Sequence, residues 1–191
     1  MTCQQRRPKL HIQATKAEIQ TVCCRYEHWK DLDTAWDELA QDLHQLTGAR
    51  LAMTFQYDET ENQLITKGVA GVPLTISRTM DILGMDILQR KWTLFDGVGE
   101  NLQTGELILL DNVQEASSYN LSTYQSFYIQ KMLGVEYIYS MGLVAKNGAL
   151  LGNFVLMLRQ TVDAEKHLYT MASCAAAEIE RLGCLERMQH R

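Results

Sequence analysis

Hydrophobic and polar positions change period from segment to segment along this chain, and the clearest change falls in its last third. Val135–Ala145 and Leu150–Gln160 are two apolar runs of strand length on either side of Lys146-Asn147-Gly148-Ala149. Asn147-Gly148 enters the positive-φ geometry of a two-residue hairpin turn with ease, so the two runs are expected to pair antiparallel. From Val162 to about Arg187 the period becomes helical. Leu168, Met171, Ala172, Ala175, Ala176, Ile179 and Leu182 then share one face, as a core-facing helix requires.

Earlier segments read in the same way. Residues 1–13 are polar, basic and interrupted by Pro8, the pattern of a loose arm. Between Thr15 and Lys30, Ile19, Val22, Cys23, Tyr26 and Trp29 recur near helical spacing, giving an amphipathic helix expected to cap the domain and not to join its core. A second helix is expected to start at an Asp33 or Thr34 cap, with Asp37 in the place of a capping-box acid. It turns Trp36, Leu39, Ala40, Leu43 and Leu46 to one side and stops at Gly48, a residue suited to a left-handed terminator. Leu51, Met53, Phe55 and Tyr57 alternate with Ala52, Thr54 and Gln56, which predicts a strand with one buried face. The polar turn Asp58–Asn62 leads to a second strand over Gln63–Val69, and Gly71-Val72-Pro73 ends it because proline has no ladder donor.

Met80, Leu83, Ile87 and Leu88 suggest a helix within Ser77–Lys91. Gly97, Gly99 and Gly105 read as a tight connection, since no Gly-Lys-Ser/Thr ending follows to cradle a phosphate. Glu106–Asn112 is a short apolar run with a polar stop, expected to form a third strand that is largely buried. Within Ser117–Leu133, the side chains of Tyr124, Phe127, Tyr128 and Met132 fall on one side of a helix, an aromatic face expected to lie over an apolar surface. The predicted fold class is therefore α+β. The sum is one sheet-plus-helix domain with helices at both ends.

Composition narrows the picture without redirecting it. A chain of 191 residues, 46% hydrophobic and with two prolines, suits one globular domain with a sizeable core. No uncharged stretch approaches the roughly 20 residues of a membrane-spanning helix, and Met1–Lys9 is not followed by the apolar segment of a signal peptide. Five dispersed cysteines, Cys3, Cys23, Cys24, Cys174 and Cys184, imply reduced thiols and a cytoplasmic setting. A net charge of −5 disfavours a nucleic-acid binder. Residues 1–30 carry six Lys or Arg against two Glu, a net of +4, leaving −9 for the remainder, so the basic arm is suited to dock on its own acidic domain or on an acidic partner.

The order of elements, together with particular residues, resembles a GAF domain, a sensory module related to PAS. The points of contact are Leu39–Gly48 leading into Leu51–Tyr57 and the Asp58 turn, and Gly97–Gly105 leading into Glu106–Val113. They continue with Leu133-Gly134-Val135, Met141-Gly142-Leu143-Val144, Asn147-Gly148, Leu150–Leu156 and the closing helix with Ala172, Ala175 and Ala176. The resemblance implies a division into a basic arm and capping helix over 1–33, a GAF-like domain over 34–183 and a helix end over 184–191. It also implies a central antiparallel sheet of five to six strands, with the terminal helices packed on one face and an irregular helix and loop segment covering a pocket on the other. A small molecule held between sheet and covering segment is implied as well, with output through the terminal helices to a kinase, cyclase or transcription regulator. A homodimer through the first and last helices accords with that role.

Within that resemblance, three chemistries lack their residues. Cyclic-nucleotide-binding members carry an Asn-Lys…Phe…Asp-Glu pattern, which is missing because Asn112 is followed by Val113. Bilin-binding members use adjacent Cys and His in the covering segment, yet residues 49–173 hold no cysteine and no histidine lies between His44 and His167. Sulfoxide-reductase members need pocket thiols, whereas Cys23, Cys24, Cys174 and Cys184 sit in terminal helices; a redox pair between those helices is the sharper reading of them and packing the plainer one. The histidines His11, His28, His44, His167 and His190 lack ligand spacing, and no serine stands in a nucleophile-elbow context.

The aromatic cluster remains. Tyr139 and Met141 are expected to form a pocket floor, Trp92, Tyr124 and Tyr128 a lid beside Phe95, and Asp111 a polar anchor. The favoured reading is a non-enzymatic sensory or regulatory module for an unidentified small molecule, its cofactor requirement unknown. The competing readings are a small redox enzyme or thiol sensor, and a protein-interaction module whose core is filled. An enzyme would need a titratable group with a shifted pKa in the pocket, for which Asp96, Glu100, Asp111 and Glu136 are the candidates.

Overall fold

The computed structural model describes residues 15–84, 86–95, 97–160 and 165–189. The arm expected over 1–13, with Cys3 and His11, lies outside these residues, as do Asp96, the Val162 helix start and His190. Among the described residues no helix is long and apolar enough to cross a membrane.

Helix α1 (Lys16–Tyr26) opens on a capping box in which the Thr15 hydroxyl accepts from the Glu18 backbone N–H and the Glu18 carboxylate accepts in return. It is not the peripheral cap expected. Ile19, Tyr26 and the following Trp29 belong to the main core, and the Tyr26 and Trp29 rings stack at 4.1 Å. Helix α2 (Leu32–Thr47) starts slightly earlier than Asp33 or Thr34, because the Asp31 carboxylate accepts from the Thr34 N–H. It ends, as its sequence predicts, at Gly48 with φ 64°.

Strands β1 (Leu51–Asp58) and β2 (Gln63–Gly71) pair antiparallel. Pro73 then opens α3 (Pro73–Leu83) from its first turn, a place where the missing N–H costs nothing. Gly84 closes that helix, so the segment beyond it does not extend to Lys91. A short strand β3 (Lys91–Thr93), which the sequence pattern does not announce, pairs with β2. The glycine-rich connection contains α4 (Val98–Gln103). Strand β4 (Leu107–Leu110) is an edge strand with Leu109 44% exposed, not the buried strand expected. Then come α5 (Val113–Ala116), α6 (Thr123–Leu133), β5 (Tyr137–Val144), β6 (Leu150–Leu158) and α7 (Glu165–Gln189). The buried residues of α7 are the seven that its period selects.

The β5–β6 hairpin forms where Asn147-Gly148 predicts, but with a longer turn. Ala145 N–H donates to Ala149 C=O and Gly148 N–H to Ala145 C=O. Only Gly148 in that turn has positive φ, at 85°, which is the pattern of a three-residue loop with a glycine bulge. The pairing shifts accordingly between Leu143 and Val144.

The six strands form one sheet in the order β3-β2-β1-β6-β5-β4, with every neighbour antiparallel. Helices α1, α2 and α7 cover one face and share a core with Ala52, Tyr139, Met141, Leu143, Phe154, Leu156 and Leu158. The segment α3–α6 covers the other face, over Leu51, Met53, Phe55, Ile138, Val155 and Met157. Strand β1 is consequently buried on both sides from Leu51 to Phe55, and the single buried face read from its alternation is overturned.

Contact between α2 and the sheet is close enough to forbid a side chain at Gly152. A Cβ there would lie 1.9 Å from the Phe55 carbonyl oxygen and 2.7 Å from the Trp36 ring. Gly152→Ala is expected to lower the unfolding free energy by ~1–3 kcal/mol, the scale of an overpacked core, as read from urea unfolding followed by tryptophan fluorescence.

Candidate functional site

The covering segment encloses an apolar pocket against the second face of the sheet. Its floor is Leu51, Met53 and Phe55 of β1 with Met157 of β6, and Trp92 of β3 forms one wall. Thr79 and Leu83 of α3, Val113 and Ala116 of α5, Ile129 of α6, and Ile87, Ser117 and Leu121 from the connections close it from above. The cavity itself is about 30 Å³, inside a cleft whose space between atoms totals about 420 Å³ with its open mouth. A cavity of that size holds something on the scale of a water molecule, so a larger guest must push the roof outward.

Local chemistry sets these walls. After Gly84 the chain folds back along β2. Gln89 N–H donates to the Thr66 carbonyl and Thr66 N–H donates to the Arg90 carbonyl, which turns Ile87 inward to 1% exposure. Trp92 Nε1 donates to Thr66 Oγ1 at 2.8 Å, orienting the indole, and the Arg90 guanidinium lies over its ring at 4.4 Å. Burial pushes the Arg90 pKa down. Across the pocket, Asn120 clamps the roof to β3: its Oδ1 accepts from Thr93 N–H at 3.2 Å and its Nδ2 donates to the Thr93 carbonyl at 2.8 Å. The same amide reaches the Ser117 and Ser118 carbonyls. That clamp holds Ser118 and Tyr119 at φ 47° and 58°, a left-handed pair uncommon for residues with side chains.

The pocket's polar side chains are already committed. Thr79 Oγ1 donates to the Thr75 carbonyl, and Ser117 Oγ donates to the Gln114 carbonyl. Among the described residues no carboxylate, histidine, lysine or cysteine lines it. Among the described residues no group of three His, Cys, Asp or Glu side chains could hold a metal ion. The strongest proton-affinity shifts lie on the opposite face. There burial raises the pKa of Tyr26 and of Asp42, while the Asp42 carboxylate raises that of Arg25. The two partners rise for different reasons: Asp42 is the buried member of their ion pair, and its desolvation outweighs the guanidinium's attraction, whereas the carboxylate holds the proton on the more exposed Arg25.

The residues read from sequence as floor, lid and anchor are not gathered at this pocket. Trp92 lines it. Tyr139 and Met141 point to the opposite face, into the core beneath α1, α2 and α7. Their register explains it: Met141 pairs with Phe154, which pairs with Thr54, and Thr54 Oγ1 donates to the Trp36 carbonyl on the helix side. Tyr124 and Tyr128 stack on each other at the solvent face of α6, 75% and 49% exposed, with Phe127 62% exposed beside them. Helix α6 instead turns Ser126, Ile129 and Leu133 inward, so its aromatic face lies over nothing. Phe95 is 52% exposed and meets the Tyr119 ring edge to face at 6.3 Å. Asp111 is exposed; its backbone N–H donates to Glu115 Oε2.

Ile129, Val113, Leu121 and the β1 residues were not among the sequence candidates. The available signal was negative: Ile129 and Leu133 are the aliphatic positions on a helix otherwise dominated by tyrosine. Replacing Thr66 by valine keeps the shape but leaves the Trp92 N–H buried without an acceptor. This change is expected to cost ~1–3 kcal/mol of stability and to broaden the Trp92 emission, measured by denaturant unfolding and fluorescence.

No protein-family model and no curated protein matches the chain. Solved structures do. The GAF domain from a phosphoenolpyruvate-protein phosphotransferase of Coxiella burnetii superposes with a TM-score of 0.63 at 15% identity, covering 88% of this chain and 94% of that one. The GAF domain from the Acinetobacter phosphoenolpyruvate-protein phosphotransferase gives 0.61 at 12% identity, with the same two coverages of 88% and 94%. The chromophore-binding domain of an unusual bacteriophytochrome from R. palustris gives 0.61 at 13% identity. The match spans 89% of this chain but only 61% of that one. The six-stranded antiparallel sheet, with its terminal helices on one face and the covering segment on the other, is a GAF-like fold.

Proposed function

We propose that this chain is a sensory or regulatory module that takes an uncharged, largely apolar small molecule into the Trp92 pocket and reports its presence through α1, α2 and α7. The observation that carries the reading is the pocket's composition: apolar side chains, with two hydroxyls whose hydrogen bonds are spent on the backbone. A charged guest would lose its hydration there without a partner in return. An apolar guest gains burial on the order of 25 cal/mol per Å². The described lining holds no titratable group from which a catalytic role would draw support.

The route to the helices runs through the strands. Leu51, Met53 and Phe55 face the pocket while Ala52 and Thr54, between them, face α2; Met157 faces the pocket between Leu156 and Leu158 of the helix-side core. A guest larger than the cavity displaces α3 or α6, or bends these strands. It biases the terminal helices only as far as it binds one of their arrangements better than another. A homodimer through the first and last helices, and a kinase, cyclase or transcription-regulator output, complete this proposal, as does a cytoplasmic location.

The exposed aromatics of α6 favour a second reading, a protein-interaction module whose small cavity stays closed and whose Tyr124, Phe127 and Tyr128 make the contact. The two readings separate in one experiment. Native mass spectrometry of the freshly purified full chain is expected to show a neutral co-purified adduct, and N-phenyl-1-naphthylamine is expected to bind saturably with energy transfer from tryptophan. Ala116→Phe, whose ring takes up the cavity and part of the cleft around it, is expected to weaken that probe by at least ~10-fold, roughly 1.4 kcal/mol, with cooperative unfolding retained. Binding that ignores Ala116→Phe, or no saturable binding, removes the receptor reading. In the homodimer, disulfide crosslinking through Cys184 is expected to change on adding the probe, and a protein that stays monomeric with and without it removes the signalling account.

A further inference from the structure

The helix thiols lie on the face that the pocket does not use. Cys23 on α1 and Cys174 on α7 are both half-buried and pack against the same hydrophobic core, whereas Cys24 and Cys184 are exposed. Helices α1 and α7 are in direct contact. Their register is pinned where Arg181 Nη2 donates to the Trp29 carbonyl at 3.2 Å. Trp29 is held in turn by its indole N–H, which donates to Glu38 of α2 at 2.7 Å. From that pin Cys23 lies six residues before Trp29 and Cys174 seven before Arg181, a matching step back along each segment. Both side chains pack on that shared core, and Cys174 is a neighbour of the Cys23 thiol.

We propose that Cys23 and Cys174 are an oxidation site, closing an intramolecular disulfide that staples the first helix of the chain to the last. The oxidant is a hydroperoxide, and hydrogen peroxide is the simplest. Burial, with the Cys174 thiol beside it, pushes the Cys23 thiol up to about 12, so Cys23 is assigned the resolving step and Cys174 the first attack on peroxide. Its attack forms an S–O bond and breaks the O–O bond; the departing hydroxide takes up the proton that Cys174 lost, and leaves as water. Cys23 sulfur then attacks the sulfenic sulfur of Cys174. The S–S bond forms, the S–O bond breaks, and the leaving hydroxide carries away the Cys23 proton as a second water. Two thiols and one peroxide give one disulfide and two waters. The staple fixes the contact of α1 on α7 covalently and needs no guest in the pocket, so it stands or falls separately from the receptor reading.

The test uses the full chain carrying Cys3→Ser, Cys24→Ser and Cys184→Ser, because Cys23 and Cys24 share one tryptic peptide. Hydrogen peroxide is expected to remove the mass of two hydrogen atoms from the monomer and to yield a peptide joining Ala17–Arg25 to His167–Arg181, both reversed by dithiothreitol. The melting temperature rises on oxidation and returns on reduction. In the same background Cys23→Ser is expected to leave a sulfenic acid on Cys174 that dimedone traps, and Cys174→Ser to give no linked peptide. The wild-type chain, whose linked peptide is assigned by fragmentation between Cys23 and Cys24, repeats the test without any substitution. Independent sulfinic acids on the two residues, linkage through Cys24, or disulfide formation only between chains overturns the proposal.

Discussion

Helix α2 lies so near the sheet at Trp36 that two strand positions beneath it can carry no side chain. The indole is fully buried, and the Trp36 carbonyl accepts from Thr54 Oγ1 at 2.8 Å. A Cβ at Gly68 would stand 2.4 Å from that carbonyl oxygen, and one at Gly152 would meet the ring. Close packing of this kind leaves no slack to slide α2 along the sheet. With α2 fixed, Arg25 of α1 and the Trp29 that follows the helix find their places through Asp42 and Glu38 of α2. The Asp42 carboxylate receives the Arg25 guanidinium, and the Glu38 carboxylate receives the Trp29 N–H. The α7 register then follows from Arg181 on the Trp29 carbonyl. One tight contact thus orders the whole helix layer.

The opposite layer is held by different means. It uses short helices with local caps, such as Asn112 on α5 and the Ser122–Gln125 capping box on α6, and it is tied to the sheet at a few points. Asn120 ties the roof turn to β3, and the Leu102 carbonyl of α4 presses on Gly142 of β5, where a Cβ would lie 1.9 Å away. Between those ties the pocket is lined by aliphatic and aromatic groups with no directional bond across it. A layer joined to the sheet by few bonds and much apolar surface is the one the proposed guest would displace, and the helix layer, pinned to the strands at Trp36, is the one the proposed signal would reach. The two proposals act on these two layers separately: a guest acts through the roof, and a disulfide acts within the helices.

Elements whose signals are local are legible in the amino-acid order itself. The face of α7, the Gly48 stop, the Asn147-Gly148 hairpin and the first two strands each depend on a period, a cap or a turn that needs no distant partner. The boundaries that slipped are those set by neighbours. Strand β3 is three residues long and is a strand because β2 offers an edge; Pro73 opens a helix instead of merely ending a strand because α3 has a roof to build. The candidate site is legible only at Trp92. The remaining six residues stand out by their chemistry and their place in the chain, and neither property says which way a side chain points.

Sequence alone therefore determined that this is an α+β chain with an antiparallel sheet, paired terminal helices and an apolar covering segment, because hydrophobic period and turn chemistry act over a few residues. Tertiary structure decided the facing of β5 and α6. Strand β5 is apolar on both sides, so only its ladder to β6 and β1 sends Tyr139 and Met141 under the helices and Ile138 under the roof. Helix α6 could have buried either of two apolar faces. Its aliphatic side, with Ile129 and Leu133, is the one packed inward, leaving the tyrosines in water, where their hydroxyls need no protein partner.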